Sequence, residues 1–331
     1  MSYVKLTEYN GTTAVTMSSG DYTAIVAYEL GSNVIRLRDD ANGIEFFRYD
    51  DNTSPEEIRT AVWGLPSLYL PNRFEDGVLK TSDNVYNLPV NIPPPENTHL
   101  HGFLHQREHT LVSYSASTEE AVCKTKYVYD STDEFYQFFP VDFIAEFTFT
   151  LSKKGLEQKI KFTNTSDKQM PMSFCTHTAI KAPFKDGGKE ENIRIRANIG
   201  KRISLNDRNL PTEELVALTD NDKEYISGSK CPVLQNVDNE MFEIIEDSTG
   251  LYGLTAVDKE TGAGIRIEVS KGFKYWIFWN CGGFEHYFCP EPMTALINAP
   301  NLSLSPEITG YKELAPGEEY EECQKFSTYF R

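Results

Sequence analysis

Alternation of apolar and polar residues constrains this chain more than any other feature. Residues 145 to 166, AEFTFTLSKKGLEQKIKFTNTS, contain two alternating runs separated by Lys-Lys-Gly. Because successive side chains of a β-strand point to opposite faces, each run predicts a half-buried strand and the polar break predicts a hairpin. GIRIEVSKGFKYWIFWN, residues 264 to 280, repeats the form with Lys271-Gly272 at the predicted bend, and Pro316-Gly317 precedes another alternating strand.

Helical patterns are few and short. SPEEIRTAVWG, residues 54 to 64, has a serine cap and an acidic first turn, and it predicts a short helix; LPTEELVALTD, residues 210 to 220, predicts another turn or two. The 18 Tyr and 20 Phe favour strands, because aromatic rings pack well on a pleated surface. Many strands, few short helices and no flexible linker predict an all-β protein, one large antiparallel β-sandwich domain spanning 1–331.

The charge and the cysteines narrow the function classes. A net charge of −17 argues against nucleic acid, which needs clustered Lys and Arg, and favours a neutral small molecule such as a sugar. The first residues lack the segments of a secretory signal, and no apolar stretch reaches the roughly 18 residues of a membrane helix. Six scattered cysteines without a CxxC pair predict reduced thiols. We therefore expect a cytoplasmic protein without membrane attachment; its oligomeric state is not predicted.

A histidine-rich segment, ENTHLHGFLHQREHTL, stands out at residues 96 to 111. It holds four of the six histidines: His99, His101, His105 and His109. On a strand the first two point to one face, as in cupin-type metal sites. Glu108 lies too far along, however, and no second histidine motif follows, so no metal is predicted. Taken alone, the segment is also typical of a partly solvated loop.

Three further motifs lie before and after the histidine segment. GLPSLYLPNRFEDG (64 to 77) precedes the Leu-His-Gly of the histidine segment, SFCTHTAIKAPF (173 to 184) carries a lone histidine, and YFCPEPMTALINAPN (287 to 301) carries a glutamate between two prolines. In this order the motifs resemble the galactose mutarotase (aldose 1-epimerase) superfamily over residues 60 to 331. The resemblance implies the mutarotase β-sandwich and interconversion of the α and β anomers of a hexose, without a cofactor.

The resemblance also implies roles for individual residues. Glu291 is expected to take the proton of the anomeric hydroxyl as general base, and His177 to protonate the ring oxygen as general acid. The expected sugar-binding residues are Arg73, His101, Asn72, Asp238 and His99. A carboxylate and an imidazole on opposite sides of the anomeric carbon suffice for this reaction, which needs two coordinated proton transfers.

Local sequence leaves some assignments open. Glu285 competes with Glu291 as base, and Pro290 is expected to break the strand between them. Of the aromatic candidates for the sugar face, Phe103, Trp63 and Trp279, each is equally typical of the core. His105 is expected at the rim of the site, and His109 to be structural.

Departures from the family pattern leave the sugar and the activity open. The chain has His-Gly-Phe where galactose mutarotases have His-Gly-Gly, and Thr-His-Thr where they have Asn-His-x-Tyr. These differences place it on a side branch. One alternative is a non-catalytic carbohydrate-binding or regulatory protein of the same fold. Another is a sugar-phosphate 1-epimerase, which would need a basic cluster such as Arg107, Lys181 and Lys185.

Overall fold

Strands dominate the structure, a computed structural model that describes residues 1–60 and 62–330. About 48% of it is strand and 10% helix, which confirms the all-β prediction. Ala61, inside the helix predicted at 54 to 64, and Arg331, at the end of the predicted domain, lie outside the described residues. No helix in the described ranges is long and apolar enough to cross a bilayer.

The N-terminal sheet has five antiparallel strands in chain order. They are β1 (Tyr3–Tyr9), β2 (Thr12–Ser19), β3 (Tyr22–Ala27), β4 (Asn33–Asp39) and β5 (Ile44–Glu45). Helix α1 (Pro55–Ile58) follows. Ser54 caps it in a reciprocal capping box with Glu57, as the serine predicted, but the helix ends after one turn instead of reaching residue 64.

Short strands then lead into the second sheet. They are β6 (Ser67–Leu68), β7 (Arg73–Glu75), β8 (Val78–Lys80), β9 (Val85–Asn87) and β10 (Thr98–Leu100). β7 pairs with β10 and β8 with β9. The longer strands that follow are β11 (Thr110–Ala116), β12 (Glu120–Tyr129), β13 (Phe143–Ser152) and β14 (Gly155–Asn164).

The remaining elements include the other strands of the large sheets, the β15–β26 pair and two helices. They are β15 (Met170–Met172), β16 (Cys175–Thr176), β17 (Ile180–Lys181), β18 (Ile193–Ala197), β19 (Ile199–Leu205), β20 (Pro211–Val216), α2 (Asp220–Ser227), β21 (Glu240–Ile244), β22 (Gly253–Asp258), β23 (Ala263–Val269), β24 (Tyr275–Trp279), β25 (Tyr287–Met293), α3 (Pro306–Thr309), β26 (Lys312–Leu314) and β27 (Glu319–Phe330).

Two eight-stranded antiparallel sheets form the body of the sandwich. One has the order β11-β12-β13-β14-β27-β23-β22-β18, and the other has the order β20-β19-β21-β24-β25-β16-β6, with β17 also paired to β25. Inward side chains of β2, β13, β14, β23 and β24 belong to one apolar cluster. The predicted antiparallel β-sandwich is therefore confirmed.

The first predicted hairpin is present, and its strand β13 shows the predicted alternation of buried and partly exposed side chains. β13 buries every second residue, including Phe147 and Phe149. Ser152 lies opposite Gly155, so the turn is the two residues Lys153 and Lys154. Fully burying one such aromatic side chain contributes about 1.5–3 kcal/mol, which is why a strict alternation fixes both the strand and its inward face.

Two other local predictions are wrong. The strands of residues 264 to 280 do not pair with each other: β23 joins β22 and β27, whereas β24 joins β21 and β25. Alternation predicts strands but not their partners. The helix predicted at 210 to 220 is instead β20, followed by α2. Thr219 and Asp222 form the capping box that begins this helix, at the end of the predicted segment.

Candidate active site

Glu291 lies in the middle of β25, although prolines flank it on both sides. We expected Pro290 to interrupt the ladder: β25 pairs with β24 without a break, whereas its pairing on the other edge is interrupted between β16 and β17. The N–H of Lys274 donates to the carbonyl of Met293 (2.8 Å), so Met293 and Glu291 direct their backbone groups to β24. The proline nitrogens therefore face the other side, where the neighbouring strand is interrupted.

That interruption holds His177. β16 and β17 both pair with β25 in one continuous register, so His177 in the gap between them falls opposite Glu291. Its Nε2 lies 3.4 Å from Oε1 of Glu291. The N–H of His177 donates to the carbonyl of Pro66 (2.9 Å), and the N–H of Ala179 donates to that of Gly64 (3.2 Å). These bonds continue the register of β16 with β6, so the chain before β6 positions the histidine from the side away from β25.

Burial sets the protonation of this pair. Glu291 is 2% exposed and His177 is 3% exposed. Burial raises the pKa of Glu291 to about 8, with the charge of Arg73 lowering it in part, and burial lowers the pKa of His177 to about 4. Among the described residues, Oε2 of Glu291 and Nδ1 of His177 have no hydrogen-bond partner. Between pH 4 and 8 the pair therefore holds one proton.

His101 completes a cluster of three side chains. Its ring meets the ring of His177 edge to face, with 5.4 Å between centroids. Its backbone N–H donates to the carbonyl of Asn72 (2.8 Å), and its φ of 67° is left-handed. Burial lowers the pKa of His101 well below the usual range, and the charge of His177 adds to the effect. The imidazole is therefore neutral near pH 7.

Glycine follows His101 because the backbone is crowded there. Gly102 has φ +62°, and a Cβ at this position would lie 2.1 Å from the backbone nitrogen of Leu70. This segment forms a bridge with Tyr69, whose carbonyl also accepts from the N–H of Phe103 (3.1 Å). Only glycine fits this approach, which places the histidine before it at the site.

Arg73 is held in a fixed orientation by its neighbours. Its Nε donates to Oε2 of Glu96 (2.9 Å), and its Nη1 donates to the side-chain oxygens of Asn72 (3.1 Å) and Asn239 (3.3 Å). Asp238 is exposed and accepts from Nδ2 of Asn239 (2.8 Å). Asp238 is thus linked to the guanidinium only through Asn239.

His99 and the remaining histidines of the segment separate from this cluster. Nδ1 of His99 donates to the Pro89 carbonyl (2.7 Å), and its ring lies 5.5 Å from that of Phe135. His99 therefore contacts the protein interior and not the cluster around Glu291. The shared face predicted for His99 and His101 rested on strand alternation, which the left-handed backbone of His101 ends.

His105 and His109 are both buried. His105 is 3% exposed, so its predicted place at the rim is wrong; burial lowers its pKa to about 3. Nδ1 of His109 bonds with the Ser32 hydroxyl (2.8 Å), and its Nε2 lies 3.1 Å from the carbonyl oxygen of Leu104. These contacts agree with a structural role for His109. In the described part of the chain, no three His, Cys, Asp or Glu side chains form a group that could hold a metal ion.

The two candidate bases lie in different surroundings. Glu285 is in the loop before β25, with a largely exposed side chain whose carboxylate is 3.8 Å from Nη2 of Arg48. Of the two glutamates, Glu291 is the one beside His177. Of the basic residues considered for a phosphorylated sugar, Arg107 is already paired, because its Nε and Nη2 donate to Asp133.

Sequence reasoning left Trp279 out of the site, but its ring centroid is 5.9 Å from that of His177. The other aromatic candidates lie elsewhere. Phe103 stacks on Phe135 in the core (4.5 Å), and the Arg48 guanidinium lies 3.9 Å from the centroid of Trp63. The sequence did not separate Trp279 from the other two aromatic residues, because the pairing of its strand, β24, with the CPEP segment is seen only in the fold.

Comparison with known proteins places these features in a family. A family model described as aldose 1-epimerase matches residues 13–327. A galactose mutarotase-like protein from Clostridium acetobutylicum is 29% identical, with 99% of both chains covered and a TM-score of 0.95. A galactose 1-epimerase from Lactobacillus acidophilus NCFM is 13% identical, with 100% of this chain and 99% of that chain covered and a TM-score of 0.75. At that identity the likeness is one of fold.

Proposed function

Because the chain belongs to the aldose 1-epimerase family, we propose that it interconverts the α and β anomers of a hexose by general acid/base catalysis. One observation carries the proposal: Glu291 and His177 face each other across a gap in a sheet, 3.4 Å apart and buried, with one proton between them near neutral pH. No cofactor is needed for this reaction, because both proton transfers are within the reach of these two groups.

The reaction begins with Glu291 as carboxylate and His177 as imidazolium. Glu291 accepts the proton of the C1 hydroxyl, the C1–O5 bond breaks, and His177 donates its proton to O5, which gives the open-chain aldehyde. Rotation about C1–C2 turns the other face of the carbonyl toward O5. The neutral His177 then takes the O5 proton, O5 attacks C1, and the protonated Glu291 returns a proton to O1.

The proton count of the pair stays constant through this cycle. The state that binds the cyclic sugar and the state that binds the aldehyde each carry one proton, on His177 in the first and on Glu291 in the second. In the empty site, the raised pKa of Glu291 and the lowered pKa of His177 favour the second state. Sugar hydroxyls that bond the carboxylate would favour the first.

Neighbouring side chains are proposed to hold the sugar. Arg73 and His101 donate to its hydroxyls, and Asn72 keeps the guanidinium in place from its own left-handed turn. Asp238 would act through Asn239. Trp279 offers an apolar face to the ring carbons beside His177. His99 is proposed only as support from the interior.

Polarimetry tests the proposal directly. Freshly dissolved α-glucose and α-galactose should relax to equilibrium faster with the chain than in buffer. Glu291→Gln and His177→Asn should each lower the rate about 10²–10⁴-fold, the usual contribution of one acid or base. Glu285→Gln is the matched control and should leave the rate unchanged.

Each other outcome has a definite meaning. If Glu285→Gln loses activity and Glu291→Gln keeps it, the base is misassigned. If the wild type accelerates none of a panel of aldoses, the enzymatic proposal fails. Stabilisation of such an inactive chain by a sugar in thermal unfolding would indicate a carbohydrate-binding protein. Turnover of a hexose phosphate alone would indicate a sugar-phosphate 1-epimerase.

A further inference from the structure

A polar cavity opens on the sheet that does not carry Glu291. It has a volume of about 250 Å³ and is lined by residues of β18, β22, β23 and β27. Arg196 on β18 lies opposite Thr255 on β22, which lies opposite Arg266 on β23. Directly opposed residues of a sheet point to the same face, so two guanidinium groups flank one hydroxyl.

Arg266 has no ionic partner among the described residues. No carboxylate of these residues lies within 4.0 Å of it, although the chain has 49 acidic and 32 basic residues, and its Nε is buried without a hydrogen-bond acceptor among them. Its guanidinium carbon is 5.6 Å from the ring centroid of Tyr329. A buried donor without an acceptor is costly, so an anion bound in the cavity would stabilise this side chain.

Tyr329 supplies a second donor. Its hydroxyl is buried and has no hydrogen-bond partner among the described residues, and the residue lines the cavity. Its ring lies against Gly264 on the paired strand, where an added Cβ would be 2.5 Å from Cζ. A glycine at this position therefore leaves room for the ring beside the cavity.

The remaining charge of the cavity comes from Asp247. One carboxylate oxygen accepts from the N–H of Thr249 (2.7 Å) and the N–H of Leu251 (3.0 Å), and the other is 4.0 Å from Nη2 of Arg196. Two positive charges and one negative charge leave the cavity with one positive charge in excess. The carboxylate is at the same time an acceptor for hydroxyl groups of a ligand.

We propose that this cavity binds a phosphate group, either inorganic phosphate or the ester of a small polyol. The phosphoryl oxygens would lie between Arg196 and Arg266 and accept from the hydroxyls of Tyr329 and Thr255, while Asp247 accepts from the polyol. Four donor groups around one space suit a tetrahedral oxyanion with three or four acceptor oxygens better than a planar carboxylate with two.

Thermal unfolding and calorimetric titration of the full chain test this site. The probes are inorganic phosphate, glucose 6-phosphate, acetate and glucose at constant ionic strength. Both phosphates should raise the melting temperature, and acetate and glucose should raise it less. Arg266→Gln should weaken phosphate binding about 10- to 100-fold, as expected for a lost charge-assisted hydrogen bond. Arg194→Gln, on the same strand as Arg196 but outside the cavity, is the matched control.

Tyr329→Phe provides an independent variant, because it removes the hydroxyl and keeps the ring on Gly264. We expect it to weaken phosphate binding several-fold. Tighter binding of glucose 6-phosphate than of phosphate would identify an ester ligand, and equal binding would identify phosphate itself. The proposal is overturned if acetate binds as well as phosphate, or if both variants bind phosphate like the wild type. Neither result affects the assignment of Glu291 and His177.

Discussion

At the scale of single residues, burial rather than a strong ion pair sets the properties of the reacting groups. The largest cause of both pKa shifts is loss of water, which favours the neutral form of Glu291 and the neutral form of His177. A carboxyl with a raised pKa is the stronger base once it is ionised. An imidazolium with a lowered pKa is the stronger acid. Both shifts therefore favour the proposed transfers.

The pH dependence of kcat/KM should be bell-shaped. Activity requires one proton on the pair. We expect it to fall below about pH 4, where His177 keeps a proton while Glu291 is also protonated, and above about pH 8, where Glu291 loses the last proton. Polarimetric initial rates from pH 3.5 to 9.5 measure this profile. A rate that rises steadily to pH 9.5 would contradict the assignment of the alkaline limb.

At the scale of elements, the loop that follows β10 fixes the position of His101. Two successive left-handed residues, His101 and Gly102, turn the chain against the segment of Tyr69 and Leu70. The left-handed region is uncommon for histidine, so packing of the loop has to maintain it. The site therefore depends on a backbone contact that contains no reacting atom.

Gly102→Ala should be more harmful than its backbone angle alone implies. Gly187 has a similar φ (+72°) but no atom within 4 Å of an added Cβ, whereas at Gly102 that Cβ would clash with the Leu70 nitrogen. We expect Gly187→Ala to cost about 1 kcal/mol and Gly102→Ala at least twice as much. Chemical denaturation of both variants measures the difference. Equal losses would show that the close approach does not matter.

At the scale of the whole molecule, the two ends of the chain are joined. The hydroxyl of Tyr22 lies 2.6 Å from that of Thr328 and accepts from its N–H (2.9 Å). β27, the last strand, lies between β14 and β23 inside the sheet. Residues far apart in sequence thus share one core. This supports the single domain predicted for 1–331, which stays a prediction.

Acid should destabilise the whole molecule through its buried histidines. Burial lowers the pKa of five of them: His99, His101, His105, His109 and His177. In the unfolded chain each histidine takes up a proton below its ordinary pKa of about 6.5, whereas the buried histidine of the folded chain does not. The free energy of unfolding is therefore highest above pH 6.5 and decreases as the pH falls. His105, His109 and His177, whose pKa values are lowered to about 3, 3 and 4, each contribute about 1.4 kcal/mol per pH unit between about pH 4 and 6.5.

Denaturation between pH 4.5 and 7.5 measures this effect. His105→Gln should reduce the slope of unfolding free energy against pH, since the pKa of His105 is lowered to about 3 by burial. A slope equal to that of the wild type would contradict the lowered pKa of His105.

Local sequence predicted local structure well. The hairpin of β13 and β14 was predictable because its two strands are adjacent and their turn is short. The partners of β23 and β24 were not, because each pairs with strands distant in sequence. The helix near residue 220 was misplaced because the capping box of Thr219 and Asp222 was not recognised as its start.

The site was predictable only in part. The resemblance to a family pointed to Glu291 and His177, but their opposition depends on the shared register of β16 and β17, which no short motif encodes. Glu96 and Asn239 went unnoticed for the same reason, and Trp279 was named only as one of three aromatic candidates. Their contacts arise from the folded chain, and nothing in their local sequence distinguishes them from surface or core residues.

The prolines of β25 have a consequence for the basicity of the carboxylate between them. In the register shared by β16 and β17, Pro290 lies opposite Thr178 in the gap, and an ordinary residue there would direct an N–H into the space beside His177. A backbone donor that reaches a carboxylate stabilises its charged form and lowers its pKa. Pro290→Ala should therefore move the alkaline limb of the pH profile to lower pH, and an unshifted limb would contradict this. Pro290 keeps the gap beside Glu291 free of a backbone donor, and so preserves a base that is strong because it is poorly solvated.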